Sequence, residues 1–323
     1  MKRSRKSVRT KATAIPELRF EDHRLTSFAG LVVIQRFFQF ISLKTRLQKC
    51  FRHLSQGKIF DRTTIFLQLV IHVLLGFREL RDAAHYHDDP LVQRVLGLKH
   101  LPDVATISRM LQEADQHSVD KLRQLLRDMV LERLGSLSLP RVTLDFDGSV
   151  QSTKRRAEGT AVGFNKKKKG ARSYYPLFCT LAQTGQVLDF LHRSGNVHDS
   201  NGAREFILHC VQQVRDRLPG VIIEVRMDSA FFSDEIVTAL NEQRVEFTIS
   251  VPFERFVELK KMIERRQRWS VIDDELSYFE TQWKPKSWPR RCRFMMIRTR
   301  AKRQQKGPVQ LDLFEPYISS HYV

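Results

Sequence analysis

Apolar residues recur at three- and four-residue spacing through Phe60–Phe77, Val92–Leu96 and Val119–Leu134. That is the period of helices with one buried face, and it predicts a helical region from about Leu25 to Leu137. Within it, Asp103 stands just before Val104-Ala-Thr-Ile, where a short acceptor side chain satisfies the unpaired amides of a first helical turn. Two uses of these short helices stay open. One is a helix-turn-helix with Arg109 facing phosphate, the other a plain bundle for dimer contacts.

At Pro140 the period changes. From Val142 to Asp147 the chain alternates, with Leu144 and Phe146 on one face and Thr143, Asp145 and Asp147 on the other. Strands are predicted at Tyr174–Ala182 and Gln186–Arg193, joined by the hairpin signal Gln183-Thr-Gly185. Asn201 is expected to cap a helix running to about Leu218, which Pro219-Gly220 ends. Val221–Met227 reads as a buried strand, Ser233 as the cap of a helix to about Glu242, and Val245–Val251 as a fifth strand. Beyond Pro252 come a charged helix, Arg255–Arg268, and aromatic-rich strands at Ser277–Trp283 and Arg293–Arg300.

Three strands, helix, strand, helix, strand is the order of an RNase H-like fold. The expected class is therefore α/β: an RNase H-like mixed-sheet core with a β-rich insertion, preceded by an all-α N-terminal domain. The expected boundaries are a basic arm over 1–22, disordered until DNA orders it, then a helical DNA-binding or dimerisation domain over 23–138. The catalytic core follows over 139–323, with the insertion at about 252–307.

Composition narrows the partner. The 323 residues carry 55 Lys+Arg against 36 Asp+Glu, a net charge of +19, and the excess is concentrated. Residues 1–11 hold six basic and no acidic residues, Lys154 to Arg172 eight and one, and Lys284 to Lys306 ten and none. Outside these stretches the chain is slightly acidic, so the charge reads as a footprint for a polyanion. Cys50, Cys179, Cys210 and Cys292 lie far apart without CxxC spacing, which argues against a zinc site or disulfide framework. The most apolar stretch, Ile65 to Phe77, falls short of the roughly 20 residues that span a bilayer. A cytoplasmic, nucleoid-associated protein without a membrane partner is expected.

Two strand-ending aspartates carry the candidate chemistry. Asp147 closes the strand in VTLDFDGSV and Asp228 closes VIIEVRMDS. Carboxylates on a sheet rim can share divalent ions, the usual means by which proteins cut and join phosphodiesters. The small pair Gly148-Ser149 lets a backbone approach closely.

With these residues the chain resembles DDE transposases of the IS4-like group, in particular the IS1380 family. The matching segments are LDFDGSV, GFNKKKKGARSYYPL, GNVHDSNGA, RMDSAFFS followed by a helix, and WKPKSWPRRCRFMMIR. The resemblance implies metal-dependent cleavage and strand transfer of an insertion sequence, with Asp147 and Asp228 as the first two catalytic, metal-binding carboxylates. Asp145 matches a less fixed position, as a supporting or alternative ligand. Two Mg²⁺ ions are implied, with Mn²⁺ as substitute. The implied partner is double-stranded DNA, both transposon terminal inverted repeats and target, bound by a homodimer. The family's third carboxylate is a Glu on a helix beyond the insertion. The chain ends at Tyr-Ile-Ser-Ser-His-Tyr-Val323 without such a segment, and Glu315 is followed by Pro. The reading is therefore of a transposase cut short and impaired, with a non-catalytic DNA-binding remnant or domesticated derivative as the alternative.

The expected DNA-binding set is Lys166, Lys167, Lys168, Lys169, Arg172, Arg290, Arg291 and Trp288. Trp283 and Trp288 serve either to stack on flipped bases or to pack within the insertion. His198 is open between a substrate contact and a capping role, while Asp199 and Asn201 read as caps. His85, His87, Asp88 and Asp89 read as a solvated loop ahead of Pro90.

Overall fold

Pro140 marks the change of architecture that the hydrophobic period predicts: helices run up to Ser136 and the first strand begins at Arg141. The computed structural model describes residues 25–299 and 321–322, apart from positions 56, 58, 154, 155, 164, 166, 167 and 199. The expected basic arm and the cap at Asp199 lie outside them. The chain divides into two units, Met1–Leu125 and Leu126–Val323.

The first unit is helical: α1 (Leu31–Phe40), α2 (Leu43–Phe51), α3 (Arg62–Leu74), α4 (Pro90–Leu96), α5 (Val104–Gln112) and the start of α6 (Gln116–Ser136). Short acceptor side chains start three of them. Asp61 accepts from Thr64 N at 2.8 Å, Asp89 from Leu91 N at 2.9 Å, and Asp103 from Thr106 N at 2.7 Å. Asp89 thus caps α4, with Pro90 at its first position, while His87 and Asp88 lie in the turn ahead of it. Ile65, Ile107 and Met110 form a small buried cluster with Phe60, Phe66 and Leu80 against it. Residues 97–103 connect α4 to α5, longer than the turn of about 3–4 residues in a helix-turn-helix. Arg109 is exposed and bonds its own helix at Ala105 O and Thr106 Oγ1.

The second unit is built on a five-stranded sheet. Its strands are β1 (Arg141–Gly148), β5 (Leu177–Leu181), β6 (Val187–Leu191), β7 (Ile222–Met227) and β8 (Glu246–Ile249), in the order β6-β5-β1-β7-β8. β1 is antiparallel to β5 and parallel to β7, and β7 is parallel to β8. Helices α7 (Ala203–Arg217) and α8 (Asp234–Glu242) follow β6 and β7 in the chain. This is the RNase H-like arrangement, with β1 central. Its core joins Leu144, Phe146, Cys179 and Val225 of the sheet to Phe206, Cys210 and Val214 of α7. Burial pushes the Cys179 thiol well above its ordinary range.

Two sequence expectations are corrected here. The predicted strand Tyr174–Ala182 is two strands broken at Pro176, which has no amide to give to a ladder. Its first part is β4 (Arg172–Tyr174), the middle of a separate small sheet between β2 (Gln151–Ser152) and β3 (Ala161–Val162). Asn201 is not the cap of α7. Gly202, at φ +67°, precedes the helix without a side-chain cap. The Asn201 carbonyl instead accepts from the buried Arg193 guanidinium at 3.1 Å, as does that of His198 at 3.3 Å. The same loop passes so close to β3 that a Cβ on Gly163 would overlap the Gly195 carbonyl, so glycine is required there.

After α9 (Val257–Arg265) come β9 (Ser270–Val271), β10 (Leu276–Trp283) and β11 (Cys292–Thr299), with β12 (His321–Tyr322) pairing to β11. These form an antiparallel sheet in the order β12-β11-β10-β9 over Leu259, Ile263, Phe279, Trp283, Phe294 and Met296. Among the described residues, no helix is long and apolar enough to cross a membrane.

Candidate active site

The parallel register of β1 with β7 ends at the pair Phe146 and Met227. The next residue on each chain is Asp147 and Asp228, so the two carboxylates leave neighbouring central strands at the same level. Phe146 is buried and meets Phe206 of α7 edge-on at 5.8 Å. Strand alternation turns Asp145 and Asp147 to the opposite face. Both Asp147 and Asp228 are exposed. Asp228 Oδ1 accepts from Ala230 N at 2.9 Å, which fixes the strand end and caps the 3-10 turn Ser229–Phe231.

Asp145 is held differently. Arg226, its partner across the β1–β7 register, donates Nε to Oδ1 at 2.6 Å and Nη2 to Oδ2 at 2.7 Å. Planar, two-point pairing of this sort is the strongest that a guanidinium and a carboxylate make. A cation at Asp145 has to compete with that charge for the same carboxylate. The same face continues as a polar ladder, where Thr143 Oγ1 and Thr248 Oγ1 both donate to Glu224, and Arg141 pairs with Glu246.

Carboxylates on exposed residues at adjacent strand ends are the donor type that a hard divalent cation takes, so Asp147 and Asp228 fit Mg²⁺ or Mn²⁺ by their chemistry. Among the described residues, no group of three or more His, Cys, Asp or Glu side chains is arranged to hold a metal ion. Glu280, a further acidic residue of the second unit, is occupied on the insertion sheet. Arg293 grips it at 2.9 and 2.6 Å and holds its carboxyl below the usual range.

The expected DNA-binding residues divide by environment. Lys168 and Lys169 are exposed in the β3–β4 connection, whose turn is closed by Lys168 N donating to Asn165 Oδ1 at 2.9 Å. Lys166 and Lys167 lie outside the described residues. Arg172 is turned inward, with Nε on Thr160 Oγ1 at 3.0 Å and Nη2 on the Thr160 carbonyl. Arg290 and Arg291 are exposed at the β10–β11 tip. Trp288 is only 7% exposed and stacks on Phe232, with centroids 4.7 Å apart. Trp283, at 9%, packs against Phe256 and Phe294. Both indoles are packed within the fold. His198 is exposed, and its Nδ1 meets Ser200 Oγ at 2.9 Å.

Sequence reasoning missed Arg226, Arg193 and Phe232. The first left a signal, since Glu224 and Arg226 interrupt an apolar strand at period two, opposite Thr143 and Asp145. The other two left none: the ring partners of Phe232 are distant in the chain, and Arg193 bonds nearby backbone carbonyls, which no residue type marks.

A sequence model for the family described as transposase DDE domain, group 1, matches residues 10–310. No curated protein matches the chain. Among solved structures, it is similar to a piggyBac transposase synaptic complex with hairpin DNA, at 14% identity and TM-score 0.37. That match covers 79% of this chain and 58% of the other, so the chain spans little more than half of that relative's length. The Drosophila P element transposase strand transfer complex is similar at 10% identity and TM-score 0.33, over 71% of this chain and 50% of that one. The catalytic domain of Mos1 mariner transposase is similar at 10% identity and TM-score 0.25, over 48% and 76%. With the family match extending through both units and across both strand-ending aspartates, this chain belongs to the DDE transposase domain family, group 1.

Proposed function

We propose that the chain is a polynucleotidyl transferase of the IS1380 family, within the IS4-like group, that cuts transposon ends in double-stranded DNA and joins them to target DNA. The observation that supports this reading best is the pair Asp147 and Asp228, one step beyond the last register pair of two parallel central strands. Asp147 and Asp228 would hold the divalent ions, which supply activation of an attacking hydroxyl and stabilisation of the leaving oxygen. The chain's own residues do the rest. Gly148, next to Asp147, adds no side chain at the rim, so that a phosphodiester can approach. Lys168, Lys169, Arg290 and Arg291 neutralise backbone phosphates, on transposon terminal repeats or target, with a second copy of the chain on the other DNA end.

The test uses the full chain with end-containing DNA and Mn²⁺ or Mg²⁺. Asp147→Asn and Asp228→Asn should each weaken Mn²⁺ binding by at least about tenfold and abolish divalent-dependent cleavage, while DNA affinity stays within about twofold. Cleavage that persists in both variants, or without divalent ions, sinks the reading. A second reading, DNA binding without cleavage, is favoured by the Arg226 clamp on Asp145. Salt-dependent DNA binding by the unmodified chain without any cleavage would select it.

A further inference from the structure

The basic tip of the β10–β11 hairpin is an anchored loop. Within it, Lys284 Nζ donates to the carbonyls of Trp288 at 2.6 Å and Pro289 at 3.3 Å, and Trp288 N donates to Pro285 O at 3.0 Å. The Trp288 ring lies on Phe232 at 4.7 Å with 25° between planes, while Phe256 and Phe294 meet Phe232 edge-on at 5.9 and 6.2 Å. Such aromatic pairs contribute beyond the apolar area they bury.

Phe232 stands at the end of the turn that Asp228 starts. Ala230 N bonds Asp228 Oδ1, Phe231 N bonds Asp228 O at 3.3 Å, and Phe232 N bonds Ser229 O at 3.4 Å. A continuous path of bonded and packed groups therefore joins the strand-end aspartate to the loop carrying Arg290 and Arg291. A ring seated in this way has no open face for a base.

We propose that Trp288 is a positioning residue: seated on Phe232, it ties the arginine-bearing tip to the turn capped by Asp228 and registers its grip on DNA backbone phosphate to the candidate active site. The phosphate part rests on the DNA reading above; the anchoring does not.

Two measurements separate these parts. The first is hydrogen exchange at Phe231 and Phe232 in Phe232→Ala, in the volume-keeping Phe232→Leu, in Trp288→Ala and in Trp288→Phe. Exchange should accelerate at least tenfold in every variant except Trp288→Phe, which keeps a ring on Phe232. Unchanged exchange in the alanine and leucine variants overturns the anchoring. The second is affinity against salt, on a plain duplex and on one with an unpaired terminal base. The alanine variants should flatten the slope of log affinity against log salt by about two, at about 0.9 for each phosphate no longer neutralised. The Arg290→Ala/Arg291→Ala chain should flatten it as much, and adding Trp288→Ala to it should change nothing further. Both duplexes should be affected alike. A Trp288→Ala loss confined to the unpaired-base duplex, with Phe232→Ala neutral on both, overturns the positioning role in favour of base stacking. A wild-type chain lacking salt-dependent DNA binding sinks the DNA reading, while the exchange measurement still decides the anchoring.

Discussion

Asp145 and Asp147 lie on the same face of one strand, at different points of the β1–β7 register. Arg226 takes both oxygens of Asp145, and Asp147 lies one step beyond the last register pair, at the level of Asp228. Neighbours also set the titration of acids far from the site. At Asp115 the Ser118 hydroxyl, the Ser118 amide at 2.8 Å and His53 Nε2 at 2.9 Å hold the carboxyl well below the usual carboxylate range. A carboxyl lowered on folding contributes stability that is present above its unfolded value, near 3.9, and lost as pH falls through the lower folded value. Melting temperature should therefore drop on acidification below about pH 4, and the drop should be smaller in Asp115→Asn. Parallel acid profiles for the two proteins would remove Asp115 from that account.

At the scale of elements, pairings that hold the sheet in place are as informative as the sheet. Asp189 on β6 is fully buried and accepts from Arg127 Nη1 of α6 at 2.8 Å and from Phe190 N at 2.8 Å. Removing one partner of a buried pair costs about 3–5 kcal/mol, because the remaining charge stays desolvated. Arg127→Met should lower unfolding free energy in urea by that amount. Adding Asp189→Leu should recover most of it, since an apolar pair needs no solvation. A single variant as stable as wild type would show the charge to be solvated already. The small sheet of β2, β4 and β3 shows a different limit: its strands are two or three residues long, too short for periodicity to register.

For the whole molecule, charge of +19 confined to a few segments is the feature that reaches furthest. DNA affinity should fall steeply with salt. Replacing Lys166, Lys167, Lys168 and Lys169 with Ala should lower the slope by up to about 0.9 for each phosphate these lysines neutralise, roughly equally across DNA sequences. An unchanged slope would assign these lysines to a solvated loop.

The hydrophobic period by itself determined the helical first region, the break at Pro140, the strand and helix order of the core and the two strand-ending aspartates. Each rests on local alternation or local capping, which neighbours in sequence encode. Asp103 acts as a cap for the same reason. Tertiary structure alone decided that Arg226 takes Asp145, that Arg193 holds the loop where Asn201 was expected to cap, and that Trp288 lies on Phe232. Each of those outcomes depends on how the folded backbone brings a partner to the side chain. Which partner arrives depends on register and packing, and a linear pattern of polar and apolar positions records neither.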